Sequence, residues 1–158
     1  MNTVQIEPSI LLFKGRGFLS KLIQWQTRGR FSHAAIMMRD GSIVEAWQGK
    51  GVRVQFLTDY SNVERFVIPS MTDAQWDKAI AYAMSQVGKK YDYWAIIRFI
   101  SRTAMPENDH WFCSELVIAA LNHADVFPFV RMPASEISPG LLHVSPLLVP
   151  KPLLAEKV

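Results

Sequence analysis

Cysteine is almost absent from this 158-residue chain. The lone thiol, Cys113, excludes an internal disulfide and a cysteine-rich zinc site, and it points to a reducing compartment. Long apolar runs are missing as well. No stretch reaches the length of about 18 apolar residues that a spanning helix needs, so no transmembrane segment is expected. The opening residues, MNTVQIEPSILLFKGRG, lack a cationic start followed by an apolar run and a small-residue cleavage site. No secretory signal is therefore expected, and the default location is cytoplasmic, with delivery to a cell wall by lysis or a phage particle as the other route. A large excess of one charge sign is missing too: the net charge of +3 is too small to argue for nucleic acid. Repeats, low-complexity tracts and linkers are also lacking, which leaves a single domain over residues 1–158.

The composition that is present, 49% apolar and 20% charged, is that of a globular domain long enough to bury a sizeable core. Its charges are unevenly spread. Residues 14–30 carry Lys14, Arg16, Lys21, Arg28 and Arg30 with no acid among them. Such a run is either a solvated face or a basic lip for an anionic substrate or surface.

Short runs rich in β-formers predict strands at 9–13, 32–38, 42–47, 51–57 and 63–69. Apolar spacing at Leu19, Leu22, Ile23 and Trp25–Gln26 predicts a helix over 18–27. A second helix is framed by Thr72 as N-cap, Gln75 at the capping-box position and Gly88 as the stop. Further helices are expected over 92–100, capped by Asp92, and 113–124. The proline-punctuated tail has room for one helical turn near 139–144 and a last strand at LLVP. Strands grouped before helices predict an α+β fold, an antiparallel sheet with helices packed on one side.

Cys113 opens the helix CSELVIAALNHA. It shares an apolar stripe with Leu116, Val117, Ala120 and Leu121, which suits a small core residue. It also sits where a helix directs unpaired N–H groups and partial positive charge, which suits a nucleophile. Glu115 complements the dipole of that first turn. A nucleophile needs a base, and there are four histidines. His123 lies about 15 Å along the same helix and is out of reach. His143 belongs to the irregular tail, and His110 is read as a surface-loop residue. His33, on a strand face with Ala35 and Met37, needs a polar partner that a facing helix end could supply.

The hairpin after it decides where Glu45 points. A three-residue Arg39-Asp40-Gly41 turn, with Gly41 left-handed, pairs Met38 with Ser42 and sets His33 opposite Trp47. Glu45 then lies one diagonal step from His33 on the same face. A two-residue turn flips the parity and sends Glu45 to the other face.

SHAAI, then IVEAW, then YDYWAI, then a helix opening FCSELV resembles the permuted papain-like amidases of the YiiX/YaeF type. These form a circularly permuted branch of the NlpC-type cell-wall peptidase superfamily, with lecithin–retinol acyltransferase more distantly related. The resemblance runs from about Ile10 to Pro146. It implies a permuted papain-like fold with a barrel-like antiparallel sheet, a thiol nucleophile at Cys113, a strand base at His33 and an orienting residue at Glu45. It also places Tyr91 beside the substrate cleft. Trp47, opposite His33, and Ser114, next to Cys113, complete the candidate substrate contacts.

The activity implied is a cysteine-dependent hydrolase cleaving an amide, a peptide or cell-wall-derived bond, through an acyl-thioester intermediate. No metal and no organic cofactor is called for. One alternative is a thiol acyltransferase or phospholipase acting on lipid esters, to which the basic lip and the tail LLHVSPLLVPKPLL would bring peripheral membrane contact. Another is a non-catalytic binding module that keeps the fold. A zinc site built from His33, Glu45 and Cys113 is a more remote option.

Overall fold

The computed structural model describes residues 6–15, 18–92 and 110–153. Six strands form one antiparallel sheet: β1 (Ser9–Phe13), β2 (His33–Met37), β3 (Ser42–Trp47), β4 (Gly51–Phe56), β5 (Val63–Val67) and β8 (Val149–Lys151), in the order β4-β3-β2-β1-β5-β8. A two-residue parallel pair, β6 (Lys90–Tyr91) with β7 (His110–Trp111), stands beside β4. The helices are α1 (Phe18–Thr27), α2 (Asp73–Ser85), α3 (Cys113–His123) and the single turn α4 (Pro139–Leu142). The helix expected over 92–100 lies outside the described residues, apart from Asp92.

The architecture is α+β, as the grouping of strands before helices predicts. The sheet is not closed into a barrel, however. At one edge, β4 spends the backbone of Val52 on the 88–89 turn, donating to Lys89 O (2.8 Å) and accepting from Gly88 N (2.9 Å). At the other edge, β8 is three residues long and centred on Pro150, which has no N–H to offer a further strand.

The two faces of the sheet are packed differently. On one, Ile10, Leu12, Ala34, Ile36, Val44 and Ala46 meet α2 and α3 through Trp76, Ala79, Leu116 and Leu121. Each large side chain buried there stabilises the fold by roughly 1.5–3 kcal/mol. On the other, a small cluster of Leu11, Ala35, Met37, Ile43 and Val63 covers only the middle of the sheet. β1 is therefore buried on both faces, and it reads as a continuous apolar run rather than an alternating one.

Local chemistry sets the boundaries. Gln75 N–H donates to Thr72 Oγ1 (3.2 Å) and Thr72 N–H donates back to Gln75 Oε1 (3.0 Å), the expected capping box of α2. The β2–β3 turn is the three-residue form. Gly41 has φ +85°, Met38 N–H donates to Ser42 O (2.8 Å), and Asp40 Oδ1 accepts from both the N–H and the hydroxyl of Ser42. Those Ser42 bonds also hold the Asp40 carboxyl below its ordinary pKa.

In α1, Ile23 is buried and Leu22 packs on the core, whereas Trp25 is 74% exposed. The tail is largely inside: Leu142 and Leu148 are buried, and Leu141 and Leu147 pack against the same core.

Candidate active site

The three-residue turn fixes the parity of the hairpin. Met37 pairs with Ile43 and Ile36 with Val44, so His33 and Glu45 emerge on one face. His33 Nε2 donates to Glu45 Oε2 across 2.6 Å, with His33 11% and Glu45 1% exposed. His33 is held between two rings: Phe13, its partner on β1, with centroids 5.0 Å apart, and Trp47, edge-on at 5.0 Å.

The other Glu45 oxygen is equally committed. Oε1 accepts from Arg53 Nε (3.0 Å) and Nη2 (2.9 Å) and from Gln55 Nε2 (2.6 Å). Nothing in the strand run GVRVQF marked these two as site residues. Their signal was nonetheless in the sequence: with Trp47 paired to Gly51, an acid on β3 faces an arginine on β4, Glu45 opposite Arg53. Gly51 makes that second turn possible. Its φ is +75°, and a Cβ there would lie 2.2 Å from Lys89 O.

Cys113 meets this group from α3. It is 1% exposed and packed in the helix-side core, yet it lies close enough to His33 to act on the titration of that ring. Burial alone would lower the His33 pKa. The hydrogen bonds to Cys113 and then Glu45, with the charge of each, outweigh it and push His33 up to about 9. Burial likewise works to raise Glu45, but the bond and charge of His33, and then those of Arg53, hold its carboxyl below the usual range. The site thus holds a buried His33–Glu45 pair, with Nε2 engaged by the carboxylate, and Cys113 acts on the same ring.

A cleft of about 310 Å³ opens onto His33 and Glu45. Trp47 and Tyr91 line it, with Phe13 and Leu57 adding apolar wall and Lys14 and Asp59 adding charge. Cys113 is not among the lining residues. Ser114 is fully buried and donates its hydroxyl to Ile137 O (2.5 Å), so its side chain ties α3 to the end of a 3-10 turn over Ala134–Glu136 instead of facing the cleft. At the start of α3, Phe112 provides no capping side chain, and Glu115 Oε2 accepts from Phe112 N–H (3.4 Å).

The remaining histidines are elsewhere. His123 stacks on Tyr82 (4.6 Å), and His143 lies against Phe31 (5.2 Å) and Phe66 (5.9 Å). His110 is part of β7 and half-buried, not a surface-loop residue. Within the basic stretch, Lys14 and Arg30 share Glu64, at 2.5 and 2.9 Å, so one of the two charges there is balanced. Arg16 lies outside the described residues.

The model of the family described as permuted papain-like amidase enzyme, YaeF/YiiX, C92 family, matches residues 9–132. The chain belongs to this family. The matched region contains the hairpin, Tyr91 and the whole of α3. Among solved structures, the crystal structure of metalloprotein YiiX from Escherichia coli O157:H7 is similar in fold, with TM-score 0.70 over 95% of this chain and 97% of that one, at 18% identity. No curated protein matches the sequence.

The word metalloprotein belongs to YiiX. Among the described residues here, no group of three or more His, Cys, Asp and Glu is arranged to hold a metal ion. The donor set around His33 does not fit one either, because Arg53, Gln55 and His33 already occupy both oxygens of Glu45. No helix among the described residues is long and apolar enough to cross a membrane.

Proposed function

We propose that this chain is a cysteine-dependent hydrolase of amide bonds, with Cys113 as nucleophile, His33 as general base and acid, and Glu45 as the orienting carboxylate. The observation that carries the reading is the His33–Glu45 pair, a ring bound to a buried carboxylate through Nε2, whose pKa is also raised by the sole thiol of the chain.

The Cys113 proton rests on the His33 ring in a thiolate–imidazolium pair, the form that the raised His33 pKa favours, and the thiolate attacks the substrate carbonyl carbon. The first-turn N–H groups of α3, uncapped by Phe112, receive the developing oxyanion. His33 returns the proton to the leaving amine as the C–N bond breaks, leaving a thioester on Cys113. Water then gives a proton to His33 and its hydroxyl to the carbonyl, releasing the acid and restoring the thiol. Glu45 stabilises the imidazolium of each half-reaction, while Trp47 and Tyr91 flank the acyl or peptide chain. Their cleft suits a peptide substrate.

One observation favours a second reading, a binding module that keeps the fold: Cys113 is buried and does not line the cleft. A panel of peptide amides and activated esters, assayed with wild type, Cys113→Ala and His33→Ala, separates the two. Turnover that vanishes in Cys113→Ala and drops by about a thousandfold or more in His33→Ala is expected of a thiol–imidazole relay. Full activity in Cys113→Ala would end the hydrolase reading.

A further inference from the structure

Arg53 touches two of the groups that hold His33. Its fork donates twice to Glu45 Oε1, and its guanidinium plane lies 5.0 Å from the centre of the Trp47 ring. Glu45 in turn bonds His33 at 2.6 Å, and Trp47 meets the same imidazole edge-on. Arg53 itself does not line the cleft. It is a partly buried side chain, 29% exposed, whose polar atoms point into the protein toward a carboxylate that is 1% exposed.

A carboxylate buried to that degree has two requirements. Its charge must be balanced, and both oxygens must be satisfied, or it drifts toward protonation and rotates away from its partner. Arg53 meets the first need with its charge and the second with a planar fork. It also braces the indole on the far side of the imidazole. Gln55 adds a neutral donor to the same Oε1 at 2.6 Å.

We propose that Arg53 is a positioning residue of the catalytic relay. Clamping Glu45 and Trp47 together keeps the His33 ring turned with Nε2 on the carboxylate. The proposal rests on the relay described under Proposed function. It adds a fourth residue that acts through two others and contacts no substrate.

Charge and geometry make opposite predictions for this residue. A distant cation alone disfavours an imidazolium, so if charge were all that mattered, removing Arg53 would raise the His33 pKa. If Arg53 works by clamping, its loss slackens the bond to Glu45 and the His33 pKa falls. Arg53→Lys keeps the charge and loses both the fork and the stacking plane.

The test is a pH titration of the His33 ring by nitrogen-resolved NMR, paired with the iodoacetamide rate at Cys113, in wild type, Arg53→Ala, Arg53→Lys and His33→Ala. Circular dichroism checks that each variant is folded, and Arg53→Lys serves if Arg53→Ala is not. Clamping predicts a His33 pKa below the wild-type value in both arginine variants, with alkylation at neutral pH slowed about tenfold, the lysine variant retaining part of the effect. A His33 pKa that rises or stays fixed, or full restoration by lysine, would overturn the proposal. A wild-type alkylation rate indifferent to His33→Ala would instead sink the relay reading, while the His33 titration would still report on the clamp.

Discussion

The two faces of the β2–β3 hairpin are built from alternate residues of the same strands, yet they obey different rules. On the helix side, Ala34, Ile36, Val44 and Ala46 are buried among apolar neighbours, and any side chain of fitting shape would serve. On the opposite side the run Met37, Ala35, His33 passes from apolar to ionisable toward one end of the strand. Here identity matters more than volume. Glu45 is as buried as Val44, but its burial is tolerable only because four hydrogen bonds converge on it. On these two strands apolar packing occupies one face and the ionisable His33–Glu45 pair the other, one residue apart.

The sharpest way to break that contrast is to cut each face once. Ile36→Ala on the helix side should cost about 2–5 kcal/mol in urea unfolding, while Cys113 reactivity in the surviving folded protein stays near wild type. Glu45→Ala on the other side should cost about 3–5 kcal/mol, since it strands Arg53 and His33, and it should also slow Cys113 alkylation. Equal losses of reactivity in both variants would contradict the division.

Acidity probes the polar face alone. His33 is raised from 6.5 to about 9, so its contribution to stability is complete below about pH 6.5 and disappears as the pH rises through about 9. Glu45 is lowered from 4.5, so its contribution is complete above about pH 4.5 and disappears as the pH falls through its depressed value. The wild-type stability advantage over Glu45→Gln should therefore be greatest between about pH 4.5 and 6.5. Unfolding midpoints measured at pH 5.5 and 9.5 would check it, and an advantage larger at pH 9.5 would contradict the assignment. Ile36→Ala should show no such dependence relative to wild type.

The smallest expected effect lies at the turn. Gly41→Ala forces a side chain into φ +85°, costing about 1 kcal/mol and loosening the register that puts His33 and Glu45 on one face. Chemical denaturation and the Cys113 alkylation rate should both register it, the second more weakly than in Glu45→Ala.

What was legible in the sequence follows the same division. The strand and helix order could be read because β-branched runs, the Thr72–Gln75 capping box and Gly88 are local signals. The meeting of His33 and Glu45 hinged on whether the hairpin turn held two or three residues, and Gly41 with Asp40 resolves it in favour of three. Arg53 and Gln55 escaped because an edge strand with alternating polar residues looks the same whether those residues face water or a buried carboxylate. The two-residue pair β6–β7 carries no periodicity at all. It is set by contacts between segments far apart in sequence. Ser114 was placed by its neighbour in sequence, but one residue along a helix is a turn of about 100°, enough to point its hydroxyl at Ile137. An open rather than barrel-like sheet depends on how Val52 and Pro150 end its edges, which strand patterns do not encode.

The claim beneath all of this is that Cys113 is coupled to His33. The direct measurement is the rate of Cys113 alkylation by iodoacetamide from pH 4 to 10, in wild type and His33→Ala. The account predicts a fast reaction at neutral pH whose profile shifts and slows when His33 is removed. A rate that ignores His33, or no reaction until the protein unfolds, would mean that Cys113 is a core residue of a binding module.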